Sequence, residues 1–400
     1  MPAPETQDLA APDADALIIG AGPAGLCCAL SLAQAGLRVD LVERQPRQAL
    51  ADPGFDGREI ALTHRSIGIL KRLGVWERIP ADEVSPLKDA VVITGQSPQR
   101  LHFDHREARC EALGQLVANH LIRRAAFEAA AATPGIRLFD ARQVSSIRLG
   151  AAAASVDTGP AETLRARLLI GADSRFSDTR RAAGISADML DFGKTMLVCR
   201  MRHTVSHEQT AWEWFQDTCT VALLPLNGSE SSVVITVSAA EAQRLAAMDA
   251  AEFNRDMQAR YQDRFGAMTL TSTRHLYPLV AVRSNRFVGL RLALIGDAAV
   301  GMHPVTAHGF NLGLQSAECL AQELRRAKTQ GRDIGSLNVL KRYESAHRRA
   351  ALPLYLGTNA IVRLYTDSRP LHQLGRKLGL TLADRIAPVK RLMLASLTAR

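Results

Sequence analysis

The chain has 400 residues, 47% hydrophobic and 22% charged, with mean hydropathy -0.04. That fits a soluble globular enzyme of two or three domains with a large core. Its 49 basic and 40 acidic residues leave a net charge of +9, and its six cysteines show no C-x-x-C pairing, which argues against a disulfide framework or a zinc site and for a reducing cytoplasm.

The N-terminus, MPAPETQDLAAPDAD, has acids and no basic region, so it reads as a frayed lead-in and not a signal peptide. Residues 16–37 carry no charge, but four glycines, Pro23, Ser31 and Gln34 argue against a membrane span. The stretch reads instead as strand, turn and helix. Apolar Leu17 to Ile19 runs into Gly20, Gly22 and Gly25 in the pattern G-x-G-x-x-G, with Pro23 and Ala24 inside it. A second apolar run, Val39 to Val42, ends at Glu43. The first glycine permits the turn, the second lets backbone approach a pyrophosphate, and the third lets helix and strand pack closely. Free N–H groups at the helix start favour phosphates, and Glu43 suits a ribose hydroxyl.

Residues 85–105 and 196–237 hold short β-like runs, AVVIT, TVALLPL and SVVITVS. They predict a β-sheet domain inserted in two pieces. Residues 107–133 read as helical, with Leu113, Leu116, Val117 and Leu121 in register, and 240–262 as another helix. His102 and His105 have two residues between them and no further Cys or His in register, and read as surface residues. Residues 169–181, LIGADSRFSDTRR, and 291–314, RLALIGDAAVGMHPVTAHGFNLGL, each begin as a strand and stop at an acid, Asp173 or Asp297. Residues 340–400 hold twelve of the basic residues and three acids, so the whole charge excess lies there, with Leu371, Leu374, Leu378, Ile386, Val389, Met393 and Leu397 at helical spacing. Two readings stand: a basic amphipathic helix on an anionic membrane surface, or a helix packed on the core with a solvated basic face. No recognition motif accompanies the charge, which disfavours nucleic acid.

With these three segments in this order, the chain resembles the flavin-dependent aromatic hydroxylases. Further stretches narrow the resemblance to the ubiquinone-biosynthesis (polyprenylphenol) hydroxylases: FDGREIALTHRSIGILKRLGVW at 55–76, ALGQLVANHLIRRAAFEAA at 112–130, AWEWFQDTCTVALLPL at 211–226 and LGRKLGLTLADRIAPVKRLML at 374–394. HPVTAHGFN and GADSRFS are most similar to the UbiM-type branch of 5-demethoxyubiquinol hydroxylases. The resemblance covers roughly residues 15–395. It implies an α/β fold like that of p-hydroxybenzoate hydroxylase: a Rossmann-like FAD-binding domain (1–80, 106–186 and 275–340), an inserted β-sheet substrate domain (81–105 and 187–274) and a basic helical C-terminal region (341–400).

It implies FAD as cofactor, held by the glycine turn, Glu43, Arg44 near the adenosine, Arg58 and Gln115. It gives Asp173 a place serving FAD and reductant, Gly296-Asp297 the ribityl contact, and Pro304 with Gly309, Phe310, Asn311 and Leu312 the flavin edge. The implied reaction is hydroxylation of a polyprenylated phenol or quinol through a flavin C4a-hydroperoxide, with no catalytic side chain and no metal. NAD(P)H docks transiently, or a protein delivers electrons. Peripheral attachment to the inner membrane and a ubiquinone-synthesis complex are the expected context. The alternatives are a reductase on the same fold or a non-catalytic flavoprotein scaffold.

Two departures stand out. Asp173-Ser174 replaces the usual Asp-Gly, and serine disfavours positive φ, so that turn is expected to differ. Ala307-His308-Gly309 replaces Gly-Gln-Gly, leaving His308 either near the flavin or pointing to solvent. Trp212-Glu213-Trp214 resembles the W-x-W of flavin-dependent halogenases, but Phe215-Gln216 stand where Ile-Pro is needed, so the tryptophans read as sheet or pocket residues.

Overall fold

A computed structural model describes residues 12–95, 100–159, 162–216, 218–303 and 309–366. The lead-in 1–11, Pro304 through His308 and the tail beyond 366, including its apolar positions from Leu371 on, lie outside the described residues.

The strand Ala14–Ile19 pairs in parallel with Val39–Val42 on one side and Glu162–Gly171 on the other. Leu292–Leu294 and Ile136–Phe139 extend the parallel set outward. Leu17, Ile18, Leu41 and Leu169 are fully buried because helices cover the sheet. Pro23–Gln34 packs on both Gly309–Thr329 and Asn119–Ala131, giving one core for this lobe.

A second, nine-stranded and mostly antiparallel sheet forms the other lobe. Its spine is the strand Ala187–His203, which pairs with Glu230–Val237 and with His275–Ser284. The latter was expected in the cofactor lobe; the pairing carries the sheet past residue 274. Side chains alternate across the sheet. Leu197, Cys199, Val233 and Ile235 face the helices Ala239–Ala247 and Ala250–Arg260 and form a separate core. One helix was expected over 240–262. It breaks at Asp249, whose side chain accepts from the Glu252 N–H and caps a second helix.

The expected helix over 107–133 begins only at Asn119. Gly114–Ala118 is instead a strand between Glu59–Leu62 and Ser85–Leu87. A methyl at Gly114 would lie 2.5 Å from the Leu62 carbonyl oxygen, so this ladder admits glycine. The helix Leu337–Thr366 packs on Gly309–Thr329. Its Tyr343 is fully buried and donates to the Leu294 carbonyl at 2.6 Å. The charged region thus starts as a helix seated on the first lobe. Among the described residues, no helix is long and apolar enough to cross a membrane.

Candidate active site

One crevice of about 1350 Å³ runs from the glycine turn to the second sheet. At its first end the three glycines do three different things. Gly20 has φ +105°, and a methyl there would lie 2.6 Å from the Ala172 carbonyl oxygen. A methyl on Gly25 would lie 1.9 Å from the Gly20 carbonyl oxygen, so helix and turn meet only through glycine. Gly22 has no atom within 4 Å of that position and faces the crevice. It caps Pro23–Gln34 with no side-chain partner and no acid in the first turn, leaving N–H groups free for an anion.

Glu43 sits at the tip of its strand. Its carboxylate accepts from the Ala21 N–H at 2.8 Å and the Gln45 N–H at 2.9 Å. It therefore braces the glycine turn, with lone pairs to spare for a sugar hydroxyl. Arg44 lines the same stretch.

The second loop departs from expectation in an instructive way. Ser174 keeps the left-handed conformation, φ +84°, despite its side chain. The turn survives because Asp173 holds it: one oxygen accepts from Ser177 Oγ, the other from the Thr179 N–H and Oγ1, both at 2.9 Å. Asp173 lines the crevice, but its carboxylate is engaged in capping Asp178–Ala182. Ser174→Gly should raise stability by about 1 kcal/mol by relieving the left-handed strain; equal or lower stability in urea unfolding would show that the loop does not strain the serine.

The third loop brings Gly296 and Asp297 to the same crevice. Gly296 has φ +57° and donates to Ser316 Oγ at 3.0 Å. A methyl on it would lie 3.1 Å from Ala24 Cβ, and one on Gly313 would lie 3.3 Å from Gly296 Cα. These small residues draw the first turns of Pro23–Gln34 and Gly309–Thr329 together, so two positive helix ends converge. Asp297 Oδ2 pairs with Arg175 at 3.0 Å, and Asp297 lines the crevice. Arg175 is fixed in turn by the Val280 carbonyl.

Gly309, Phe310, Pro23, Ala24 and Arg58 also line the crevice. Arg58 is clamped by Asp56 at 2.5 Å and lies over the Tyr277 ring. Four nominated residues stand back from it. Gly25 acts through packing alone. Leu312 is 2% exposed. Asn311 is spent on Thr63 and Ala61, its Oδ1 accepting at 3.1 Å and its Nδ2 donating at 2.8 Å. Gln115 lies in the strand between Leu62 and Pro86. Pro304 lies outside the described residues. His303 is buried edge-on against Phe192, and burial plus the Arg175 charge push it down to about 4, so it is neutral at pH 7.

At the far end, alternation places Trp212 and Trp214 against the helix side, with Arg264 over both rings. Glu213 and Phe215 face the crevice, joined by Ala222, Leu224 and Val234. Glu213 is a site residue that spacing and motif do not single out; its one signal in the sequence is a lone acid between two tryptophans. His102 is exposed and His105 half-buried; the His105 ring and its N–H both bind Asp89, at 2.8 and 2.9 Å. Asp89, Asp104 and His105 group tightly because they brace this turn.

The chain matches the FAD binding domain family over residues 13–353. It is 46% identical over 388 residues to ubiquinone hydroxylase UbiM of Neisseria meningitidis serogroup C, covering 96% of this chain and 84% of that one. It is 34% identical over 381 residues to ubiquinone hydroxylase UbiL of Rhodospirillum rubrum, covering 95% and 88%. Its fold matches p-nitrophenol 4-monooxygenase PnpA of Pseudomonas putida DLL-E4, with a TM-score of 0.76 at 20% identity over 96% of this chain and 98% of that one.

Proposed function

This chain belongs to the FAD binding domain family and, within it, to the ubiquinone hydroxylases, and from that premise we propose that it hydroxylates the aromatic ring of a polyprenylated phenol or quinol in ubiquinone biosynthesis, as a UbiM-like 5-demethoxyubiquinol hydroxylase. The observation that carries the reading is the crevice, which joins a dinucleotide cradle to a sheet floor carrying Phe215, Ala222, Leu224 and Val234 beside Thr220, Ser232 and Thr236. The cradle suits FAD. The open space at Gly22 and the two helix starts fit a pyrophosphate, Glu43 and Arg44 fit the adenosine ribose end, and Asp297 fits a polyhydroxyl chain.

When bound and reduced, FAD supplies the activated oxygen. The protein's part is positioning and exclusion of water. Phe215, Ala222, Leu224 and Val234 offer an apolar floor for a ring. His303, held neutral, and Phe192 close the wall between floor and cradle without adding a charge. The basic excess of residues 340–400 supports a seat on an anionic membrane surface, where a polyprenyl tail partitions.

Expression in strains each lacking one ring hydroxylase tests the reading. Quinone synthesis should return in the strain blocked at the 5-demethoxy step, with loss of the accumulated demethoxy intermediate. Failure in every such strain would remove the assignment.

A further inference from the structure

We propose that Glu213 binds the ring hydroxyl of the substrate and draws on its proton, so that it fixes which ring carbon faces the flavin. This rests on the ring-hydroxylase reading, in that it takes the ligand to be a phenol.

Glu213 lies mid-strand in Thr210–Phe215, opposite Ala222 on one side and Val92 on the other. Its side chain points into the crevice, and with the described residues it makes no hydrogen bond or ion pair. The same face carries a second unsatisfied group, Ser232 Oγ, buried without a partner. Glu213 is half-buried on the crevice wall, and a carboxyl left without a protein partner there is costly unless a ligand or solvent pairs it. Behind the sheet Tyr261 donates to the Ala222 carbonyl at 2.6 Å and His203 bonds Val205 and Ser231, while Trp212 Nε1 and Thr94 Oγ1 are, like Ser232 Oγ, buried without a partner. Glu213 is the acid this lobe leaves open to a ligand on its ring floor.

The surroundings set its chemistry. Behind the sheet stand the Tyr261 hydroxyl and Arg264, the latter over Trp212 and Trp214. Arg58, Glu59 and Lys194 line other parts of the crevice. None of these charges offsets the burial, which by itself pushes the Glu213 carboxyl up to about 8. An ordinary phenol titrates near 10. Two groups about two pK units apart share a proton readily. As carboxylate, Glu213 accepts the hydroxyl hydrogen bond. If the proton crosses, the products are a carboxylic acid and a phenolate, with the phenolate's electron pair pushed into the ring. A carboxylate on a floor whose other polar groups are hydroxyls selects a ring hydroxyl over a methyl ether at one position, which an apolar pocket alone cannot do.

The test uses FAD-loaded full-length protein and two soluble probes, 2-methoxy-6-prenylphenol and its methyl ether, titrated by flavin absorbance. Glu213→Gln should bind the phenol at least tenfold more weakly and the ether unchanged. The kcat/KM of the wild type should rise with pH through about 8, since the ionised form is the active one, and the profile of Glu213→Gln should lose that rise. Equal phenol affinity in the two proteins, or an equal loss for both probes, would overturn the proposal alone. Wild type that binds neither probe would overturn the ring-hydroxylase reading with it. Should Glu213→Gln lose FAD, the wild type decides: phenol affinity flat between pH 6 and 9 rejects the role.

Discussion

Gly25→Ala should give protein with at least tenfold less bound FAD and a fold destabilised by about 3 kcal/mol. The methyl would sit 1.9 Å from the Gly20 carbonyl oxygen, where only backbone movement makes room. Overpacking against backbone costs about 1–3 kcal/mol or more, because no rotamer change relieves it. The displaced atoms belong to the turn whose N–H of Ala21 is held by Glu43, so the cradle opens with the clash. Gly22→Ala is the control. Its methyl enters empty space inside the crevice, so the apoprotein should melt within a degree or so of wild type while FAD affinity falls. Equilibrium dialysis and calorimetry of both variants separate the effects. Gly25→Ala with normal FAD content, or Gly22→Ala with an unstable apoprotein, would show that the two glycines do not divide the work this way.

Arg200→Met should cost about 3 kcal/mol at pH 8 and clearly less at pH 5.5. The Glu59 side chain is 1% exposed, and Arg200, from the strand Ala187–His203 of the second sheet, binds it at 2.7–2.8 Å. Leaving a buried charge unpaired costs about 3–5 kcal/mol. Burial already pushes Glu59 up to about 7, although Arg200 pulls the other way. The sign follows. A carboxyl raised above its unfolded value of 4.5 gives stability that is present at low pH and lost as pH rises through 7. Removing the cation raises Glu59 further. At pH 5.5 the carboxyl is neutral with or without Arg200, so little changes beyond lost packing on Phe55. At pH 8 the variant must keep a proton against the solvent, at about 1.4 kcal/mol per pH unit. Urea unfolding of the holoprotein at both pH values measures the difference; equal losses would assign the effect to packing and not to charge.

The glycine turn was legible in the sequence because its chemistry is local: spacing, strand ends and one acid suffice. The β runs of the second sheet were legible for the same reason. The strand Gly114–Ala118 was not. Leu113, Leu116, Val117 and Leu121 satisfy a helical spacing, and what overrides it is pairing with Leu62 and with Ser85, far off in sequence. Asp173 and Asn311 carry the right residue types for cofactor contacts, yet their polar atoms bind Thr179, Thr63 and Ala61. Sequence does not distinguish an acid or amide that turns inward from one that faces a ligand. Glu213 illustrates the converse: a period of two separates it from the tryptophans on either side, and that period only becomes decisive once the tryptophans are seen in the core.

The strand Ala187–His203 carries a mechanical consequence. It begins beside the cofactor lobe, where Leu190 and Phe192 pack on the first core, and ends deep in the second, at Met201. One unbroken ribbon therefore crosses both compartments. Swinging them apart like a clamshell would strain its ladder with His275–Ser284, which runs on both sides of the bulge between Asp191 and Thr195, its natural point of give. Traffic in and out must then be handled by surface loops, while the spacing between nucleotide and ring stays clamped from one turnover to the next.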